Sequence, residues 1–385
     1  MHLARPLVPT RSPTLSAALL CLGLALLSGC ASMMGGFGSD AVVDAAHKGA
    51  QGESIGGSKT YSRLQAALDA APADGRRPWR IFVRNGHYKE KLTVSRPNVS
   101  LRGESRDATV LVFDATASTV GPDQREYGTA GSATLTVRAP DFSAENLSVE
   151  NAFDYPKNLA KDPQDKTRLR NPQAVALLLD QGADRSRLKQ VRLIGYQDTF
   201  FANAGRAYVY QSEVLGHVDF IFGAGTVVFE DSDIVSRPRI GQQPSGYVTA
   251  PSTQRSTSHG FVFLDSRLKR ENADVGPQSV PLGRPWHPTT AFPDGRYADP
   301  AAIGSAVFVR CWMDDHITPD AWDEMGGTAK DGSRVFFQPE DARFFEYRST
   351  GPGAGKPGKR RRQLSDAQAA GYVTDKLLGD WRPAR

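Results

Sequence analysis

One phrase keeps returning along this chain. KQVRLIG begins at Lys189, QSEVLGH at Gln211, EDSDIVS at Glu230, LDSRLKR at Leu264 and RCWMDDH at Arg310. The first copies follow one another at steps of about twenty residues, the length that one coil of a parallel β-helix needs for two or three short strands and their turns. Further β-rich runs (RIFVR, NVSLRG, ATVLVFD, ATLTVR, AVALLLD and TVVFED) are bounded by Gly, Asn, Asp or Pro. A β-sandwich also has many short strands, but it turns roughly every 8 to 12 residues and leaves no such phrase recurrence. With 37 glycines and 25 prolines the chain has turns to spare and suits a helical bundle poorly. The pattern predicts an all-β solenoid.

The N-terminal part reads differently. Arg5 and Arg11 precede the apolar run LSAALLCLGLALL, which is too short to span a bilayer and fits the core of an export signal. It ends in LSGC at Cys30, a tetrapeptide that resembles a bacterial lipobox, in which the cysteine thiol takes the lipid; an ordinary cleaved signal with an incidental cysteine is the alternative. The expected organisation is a signal over 1–29, a flexible Gly/Ser/Ala-rich tether over 30–59, and one catalytic domain over 60–385. Ala31 and Ser32 follow the cysteine with no aspartate beside it, so sorting rules for such proteins point to the outer membrane, with the lipid on Cys30 as the membrane contact. Cys21 would leave with the signal, Cys30 would be modified, and Cys311 would have no disulfide partner. Loss of the signal takes Lys plus Arg from 47 to 45 against 42 acids, leaving +3, which argues against a nucleic-acid partner.

In TYSRLQAALDAAP, Leu64, Ala67 and Leu68 share one helical face. A short helix ended by Pro72 would cap the solenoid and cover its strand edges.

Spacing converts to geometry in a solenoid, because residues one coil apart stack at about 4.8 Å. Gln173 lies 24 residues before Gln197, and Asp198 lies 21 before Asp219. The four side chains are expected on one outward face. Two carboxylates that close, in partly apolar surroundings, cannot both ionise easily, which yields one acid and one anionic nucleophile. A stacked ladder that only satisfies backbone groups at turns has the same spacing. The apolar residues after each aspartate (Phe200 and Phe201; Phe220, Ile221 and Phe222) suit strands beside an aromatic cleft, and the pattern alone leaves both readings open.

The segments YGTAGSATLTV, NPQAVALLL, GYQDTFF, GHVDFIFG and LGRPW, in this order, resemble the signature set of the pectin methylesterases, and LGRPWHPTTAFPDGRYADP resembles their bacterial branch. The resemblance runs from near Tyr61 to the LGDW stretch. It implies a right-handed parallel β-helix and hydrolysis of galacturonate methyl esters without metal or organic cofactor. By the same resemblance Asp219 is the nucleophile, Asp198 the acid and then base, Gln173 and Gln197 the oxyanion donors, and Arg284 the group that orients Asp219. Methyl-esterified pectin or oligogalacturonides would be the partner, bound to a monomer through Phe201, Phe222, Trp286, Thr129, Thr289 and Met313, with Arg239 and Tyr247 as further candidates.

Two departures stand out. Ser212 and Ser232 occupy positions where some bacterial members carry a disulfide, so packing is expected to supply that rigidity. Phe200 and Phe201 replace the common Leu-Tyr after QDT, which removes a hydroxyl. The run GKPGKRRR, ending at Arg362, reads as a solvated basic loop, and His217 as a packing or supporting residue. An inactive polysaccharide-binding lipoprotein would be expected to lack one of Asp198, Asp219 and Arg284, and all three are present. A lyase would need a calcium-binding carboxylate cluster, and a polygalacturonase would shorten the polymer. A non-pectin esterase or thioesterase would share the catalytic set and stays open as the alternative.

Overall fold

The computed structural model describes residues 38–385; the expected signal, Cys30 and the first residues of the expected tether lie outside them. The recurring phrases become neighbours. Arg192–Ile194, Glu213–Gly216, Asp233–Ser236, Arg267–Arg270 and Trp312–Met313 lie side by side in one eight-stranded parallel sheet. RIFVR, NVSLRG and TVVFED fall in a second sheet of twelve strands, and ATLTVR and AVALLLD in a third of six. One coil adds a strand to each: Arg206–Tyr210, Glu213–Gly216 and Ile221–Gly223 make one turn of the solenoid, and Thr226–Glu230 begins the next, paired in parallel with Arg206–Tyr210. The chain is a parallel β-helix.

Coil length is set at the corners. Asn146, Gln190, Gln211, Asp231, Asp265 and Arg310 each precede a strand of the eight-stranded sheet with φ between 47° and 58°. L-residues seldom adopt this left-handed conformation, and polar side chains that bond locally tolerate it best. Here those bonds run between coils. Gln211 Nε2 donates to Asp231 Oδ2 at 3.0 Å, and Arg310 forks onto Asp265 at 2.7 and 2.6 Å.

Inside, like residues stack. Phe229, Phe263 and Phe308 lie face to face with centroids 4.5 and 4.3 Å apart. Beside them runs a hydroxyl ladder: Ser212 Oγ accepts from the Val191 N–H, Ser232 Oγ from the Ser212 N–H and Ser266 Oγ from the Ser232 N–H, at 3.0 to 3.2 Å. Cys311 continues the column, buried, with its thiol against the Phe263 carbonyl. Hydrogen bonds as well as packing therefore hold the coils where a disulfide was conceivable.

The N-terminal helix forms over Leu64–Asp69 with Leu64, Ala67 and Leu68 buried, as its spacing predicts. Glu90 caps it, accepting from the Leu64 and Gln65 N–H groups. The outermost edge of the twelve-stranded sheet is protected by a different device, the exposed antiparallel strand Glu53–Ile55. Order thus begins before Thr60. Ala41–Val43 inserts in parallel between Ser58–Tyr61 and Trp79–Val83, with Ala41 and Val43 fully buried, so the expectation of a flexible tether fails from residue 39 onward. The glycine-rich average of the region hides the inward alternation of Ala41 and Val43.

The basic run is also corrected. Arg361 is fully buried, forked onto Glu346 at 2.8 and 3.0 Å and bonded to the carbonyls of Thr318, Pro319 and Gly353. A guanidinium with its donors satisfied in this way is tolerable in an interior. The segment after it lies on the outer face of the twelve-stranded sheet, where Leu364, Ala369, Leu377 and Leu378 pack with Tyr208, Val228 and Val307.

Candidate active site

Asp198 and Asp219 open the third-sheet strands Phe200–Ala202 and Ile221–Gly223, which pair in register Phe200 to Ile221 and Phe201 to Phe222. The Asp198 N–H donates to the Val218 carbonyl at 3.0 Å, so the two aspartates occupy equivalent places on successive coils. They sit at corners and not on strands, with φ of 65° and 50°. Both open readings thus hold in part: the residues have the corner geometry of a ladder, yet among the described residues neither carboxylate accepts from a backbone group, and Asp219 is bonded to Arg284 instead. One coil earlier the Ala174 N–H donates to the Gln197 carbonyl, and Leu177 pairs with Phe200, so the coil step is 23 residues and not the expected 24; Gln173 and Gln197 both reach the cleft from neighbouring coils.

The LGRPW segment comes from elsewhere in the chain. It runs along the strand Thr249–Pro251: the Arg284 N–H donates to the Thr249 carbonyl and the Trp286 N–H to the Pro251 carbonyl, at 3.0 and 3.1 Å. Gly283 permits this approach, because a Cβ there would lie 2.1 Å from Thr249 Oγ1 and 2.5 Å from its carbonyl oxygen. Arg284 then reaches Asp219 as a fork, Nε to Oδ1 at 2.9 Å and a terminal nitrogen to Oδ2 at 2.7 Å. Its guanidinium lies over the Tyr247 ring at 3.9 Å, and Tyr247 donates to Asp323 at 3.2 Å. Burial pushes the Tyr247 phenol up to about 12, which keeps it a neutral donor.

These groups border an open cleft of about 350 Å³ lined by Thr129, Gln173, Gln197, Asp198, Phe201, Asp219, Phe222, Ala250, Arg284, Trp286 and Met325. Electrostatics divide the aspartates. Burial, and next the charge of Asp219, hold the Asp198 carboxyl well above its usual range, with Arg284 opposing. Asp219 is locked in a two-point contact with a permanent cation. Among the described residues neither Gln173 nor Gln197 has a side-chain hydrogen-bond partner, and the buried Gln173 Oε1 is unpaired. One wall is aromatic: Phe201 stacks on Phe222 at 4.2 Å, with Trp286 at 5.7 Å from Phe222.

Several expected substrate contacts are placed otherwise. Met313 is fully buried in the core against Arg361 and cannot meet a ligand; Met325 lines the cleft in its stead. Tyr247 supports Arg284 from beneath. Thr289 is exposed on the hairpin of Thr289–Phe292 with Gly295–Ala298, outside the cleft lining. Arg239 is half-buried, donating to the Tyr155 hydroxyl at 3.3 Å. Met325 and Ala250 were missed. The turn residues AKDGS mark a hairpin, Met325–Thr328 with Arg334–Phe337, which would have put Met325 on an exposed element. His217 packs edge-on against Tyr155 at 4.2 Å, buried and held neutral first by burial and then by the nearby Arg239 and Arg237 charges.

Comparison with known proteins gives a consistent result. The family model described as Pectinesterase matches residues 54–378. The chain is 47% identical over 328 residues to pectinesterase A of Dickeya dadantii, covering 84% of this chain and 88% of that protein. Among solved structures it resembles the pectin methylesterase of Erwinia chrysanthemi with a TM-score of 0.84 and 45% identity, covering 91% of this chain and 99% of that one. A pectin methylesterase in complex with a hexasaccharide matches with a TM-score of 0.84 and 46% identity, over 90% of this chain and 99% of that one.

Proposed function

The chain belongs to the pectinesterase family, and from that premise we infer how its cleft removes methyl esters from galacturonate units of pectin, releasing methanol and pectate. The observation that carries the scheme is the pairing of a carboxylate forked to Arg284 with a second, buried carboxyl held protonated one coil away. Asp219 attacks the ester carbonyl carbon, and the carbonyl electron pair moves onto its oxygen. The amides of Gln173 and Gln197 border the place where that charge develops, and donors already in position stabilise it without reorganisation. Collapse of the tetrahedral species breaks the bond to methoxide, which leaves as methanol with the proton of Asp198. An acyl-enzyme anhydride remains. Asp198, now ionised, takes a proton from water as it attacks, the bond to Asp219 breaks, and the galacturonate leaves as its acid. Phe201, Phe222 and Trp286 offer flat faces for the neighbouring sugars. The two terminal steps regenerate both carboxyls in their starting states.

Methanol release from methyl-esterified pectin tests this. The unmodified protein should release it and Asp219→Ala should not; release by the variant at the parental rate would remove Asp219 from the scheme.

We also propose that Cys30 carries a lipid and holds the enzyme at the bacterial outer membrane, a reading that rests on the LSGC sequence and its upstream apolar run. Cys30→Ser should move the protein from the membrane fraction to the soluble one, and unchanged sedimentation would count against the anchor. All groups in the scheme come from one chain, so a monomer is taken as the working unit, which sedimentation velocity on the soluble domain can measure.

A further inference from the structure

Among the described residues Arg284 is the only cation lining the cleft, and its guanidinium donates to no group other than Asp219. That tie is conditional. In the scheme above an Asp219 oxygen becomes bonded to the galacturonoyl carbon, so the charge that holds the fork is gone for as long as the acyl-enzyme lasts. The guanidinium donors, in a cleft open to water, then face no anion. What stays is the Tyr247 ring, whose centroid lies 3.9 Å from the guanidinium carbon.

Tyr247 is fixed at both ends. Its N–H donates at 2.7 Å to the carbonyl of His217, two residues before Asp219. Gly246 permits that approach, because a Cβ there would lie 2.1 Å from the same oxygen. At the other end the Tyr247 hydroxyl donates to Asp323 Oδ2 at 3.2 Å. Asp323 is in turn tied to the segment that carries Arg284, since its N–H donates to the Gly283 carbonyl at 3.0 Å. Its second carboxylate oxygen accepts from the Glu324 N–H at 2.9 Å and lies 4.0 Å from Arg360, which leaves Oδ2 aimed at the phenol. The ring is thus a plate held between the nucleophile's corner and the LGRPW segment, and no part of its support depends on the charge of Asp219. A phenol whose proton lies on a carboxylate has a more electron-rich face, and a partly desolvated cation is held more firmly to such a face.

We propose that Tyr247 and Asp323 are positioning residues for the second half of the reaction, a role that rests on the pectinesterase reading and the acyl-enzyme scheme above. They keep Arg284 in place while Asp219 is acylated. Water attacks the galacturonoyl carbon and gives its proton to Asp198. The bond from that carbon to the Asp219 oxygen breaks, its electron pair stays on the oxygen, and Arg284 already stands where the carboxylate reappears. Before acylation the charged fork holds Arg284 unaided, so the release of methanol does not call on the pair.

The test measures methanol release from fully methyl-esterified oligogalacturonates, by rapid quench and in the steady state, for the parent, Tyr247→Phe, Asp323→Ala and the double variant. Tyr247→Phe keeps the ring and loses its tie to Asp323, and Asp323→Ala loses the same tie from the other side. Each should lower kcat about tenfold, the effect of one hydrogen bond to a charged group. KM should fall with kcat, and kcat/KM should stay within about twofold of the parent, because methanol leaves before the slowed step. A burst of about one methanol per site should precede the slower steady rate. The double variant should be no slower than either single one, since both changes remove the same bond. A lowered kcat/KM without a burst, which a loosened cleft would give, would overturn the assignment to the second half, and so would parental kcat in Tyr247→Phe. Losses that multiply in the double variant would overturn the coupling of Tyr247 to Asp323. All of these outcomes leave the esterase reading intact, whereas no methanol release by the parent would overturn that reading and this role with it.

Discussion

Asp198 sits in a surrounding that opposes its charge, and that condition has a cost in stability that can be read from pH. Its folded pKa lies well above the ordinary 3.8, through burial first and the Asp219 charge second. Below pH 3.8 the group is protonated in folded and unfolded chains alike and costs nothing. As pH rises toward the folded value the unfolded chain gains by ionising, so the fold loses stability. Asp198→Asn, which cannot ionise, should therefore melt above the parent at pH 7 and show no such gain below about pH 3.8, by calorimetry across a pH series. The same variant should lose activity on the order of 10²- to 10⁴-fold, the usual worth of a general acid. Near-parental turnover would assign the proton to another group. This residue was legible because its spacing from Asp219 matched one coil. The corner conformation was not, because left-handed φ at an aspartate leaves no periodic mark, and the large residues that follow read as strand.

At the scale of elements, recurrence and register did most of the positioning. The phrases beginning at Lys189, Gln211 and Glu230 mark one sheet because each carries its corner residue and inward side chains at fixed offsets. That logic breaks where a loop is inserted. Phe222 pairs with Ala250, 28 residues on, since residues 237–247 leave the coil before the strand Thr249–Pro251 resumes it. The hairpin bearing Met325 is likewise an excursion, held by the stack of His287 on Phe337 at 3.6 Å. The two methionines now separate experimentally. Met325→Ala should raise KM roughly fivefold with kcat little changed, from loss of a half-buried apolar contact. Met313→Ala should instead destabilise the fold by about 2–5 kcal/mol, a core truncation, with KM unmoved in the protein that remains folded. Steady-state kinetics and chemical denaturation of both variants check this, and the opposite pattern would return the substrate contact to Met313.

Across the whole molecule, the sequence announced a solenoid and a capping helix but not where order starts or how the far end is closed. Ala41–Val43 is three residues long, too short to stand out from glycine-rich neighbours. Arg361 lies in a basic run whose neighbours Lys356 and Lys359 are exposed, and nothing local distinguishes the one guanidinium that enters the core to meet Glu346. Both are decided by tertiary partners far along the chain. The stacking of the coils has a further bearing on descent. Gln173 stands one rung below Gln197 and Asp198, Asp219 one rung above, and Arg284 reaches in from a segment lying on the next, so the chemistry occupies a short stretch of a long column. A tandem duplication of one rung near either end would lengthen the groove, and with it the number of sugars held, while leaving the reacting groups at their distances. The same duplication anywhere between Gln173 and the strand Thr249–Pro251, on which the Arg284 segment lies, would part reacting groups by an added strand spacing, so lineages of this fold are free to vary in length outside that stretch and not within it.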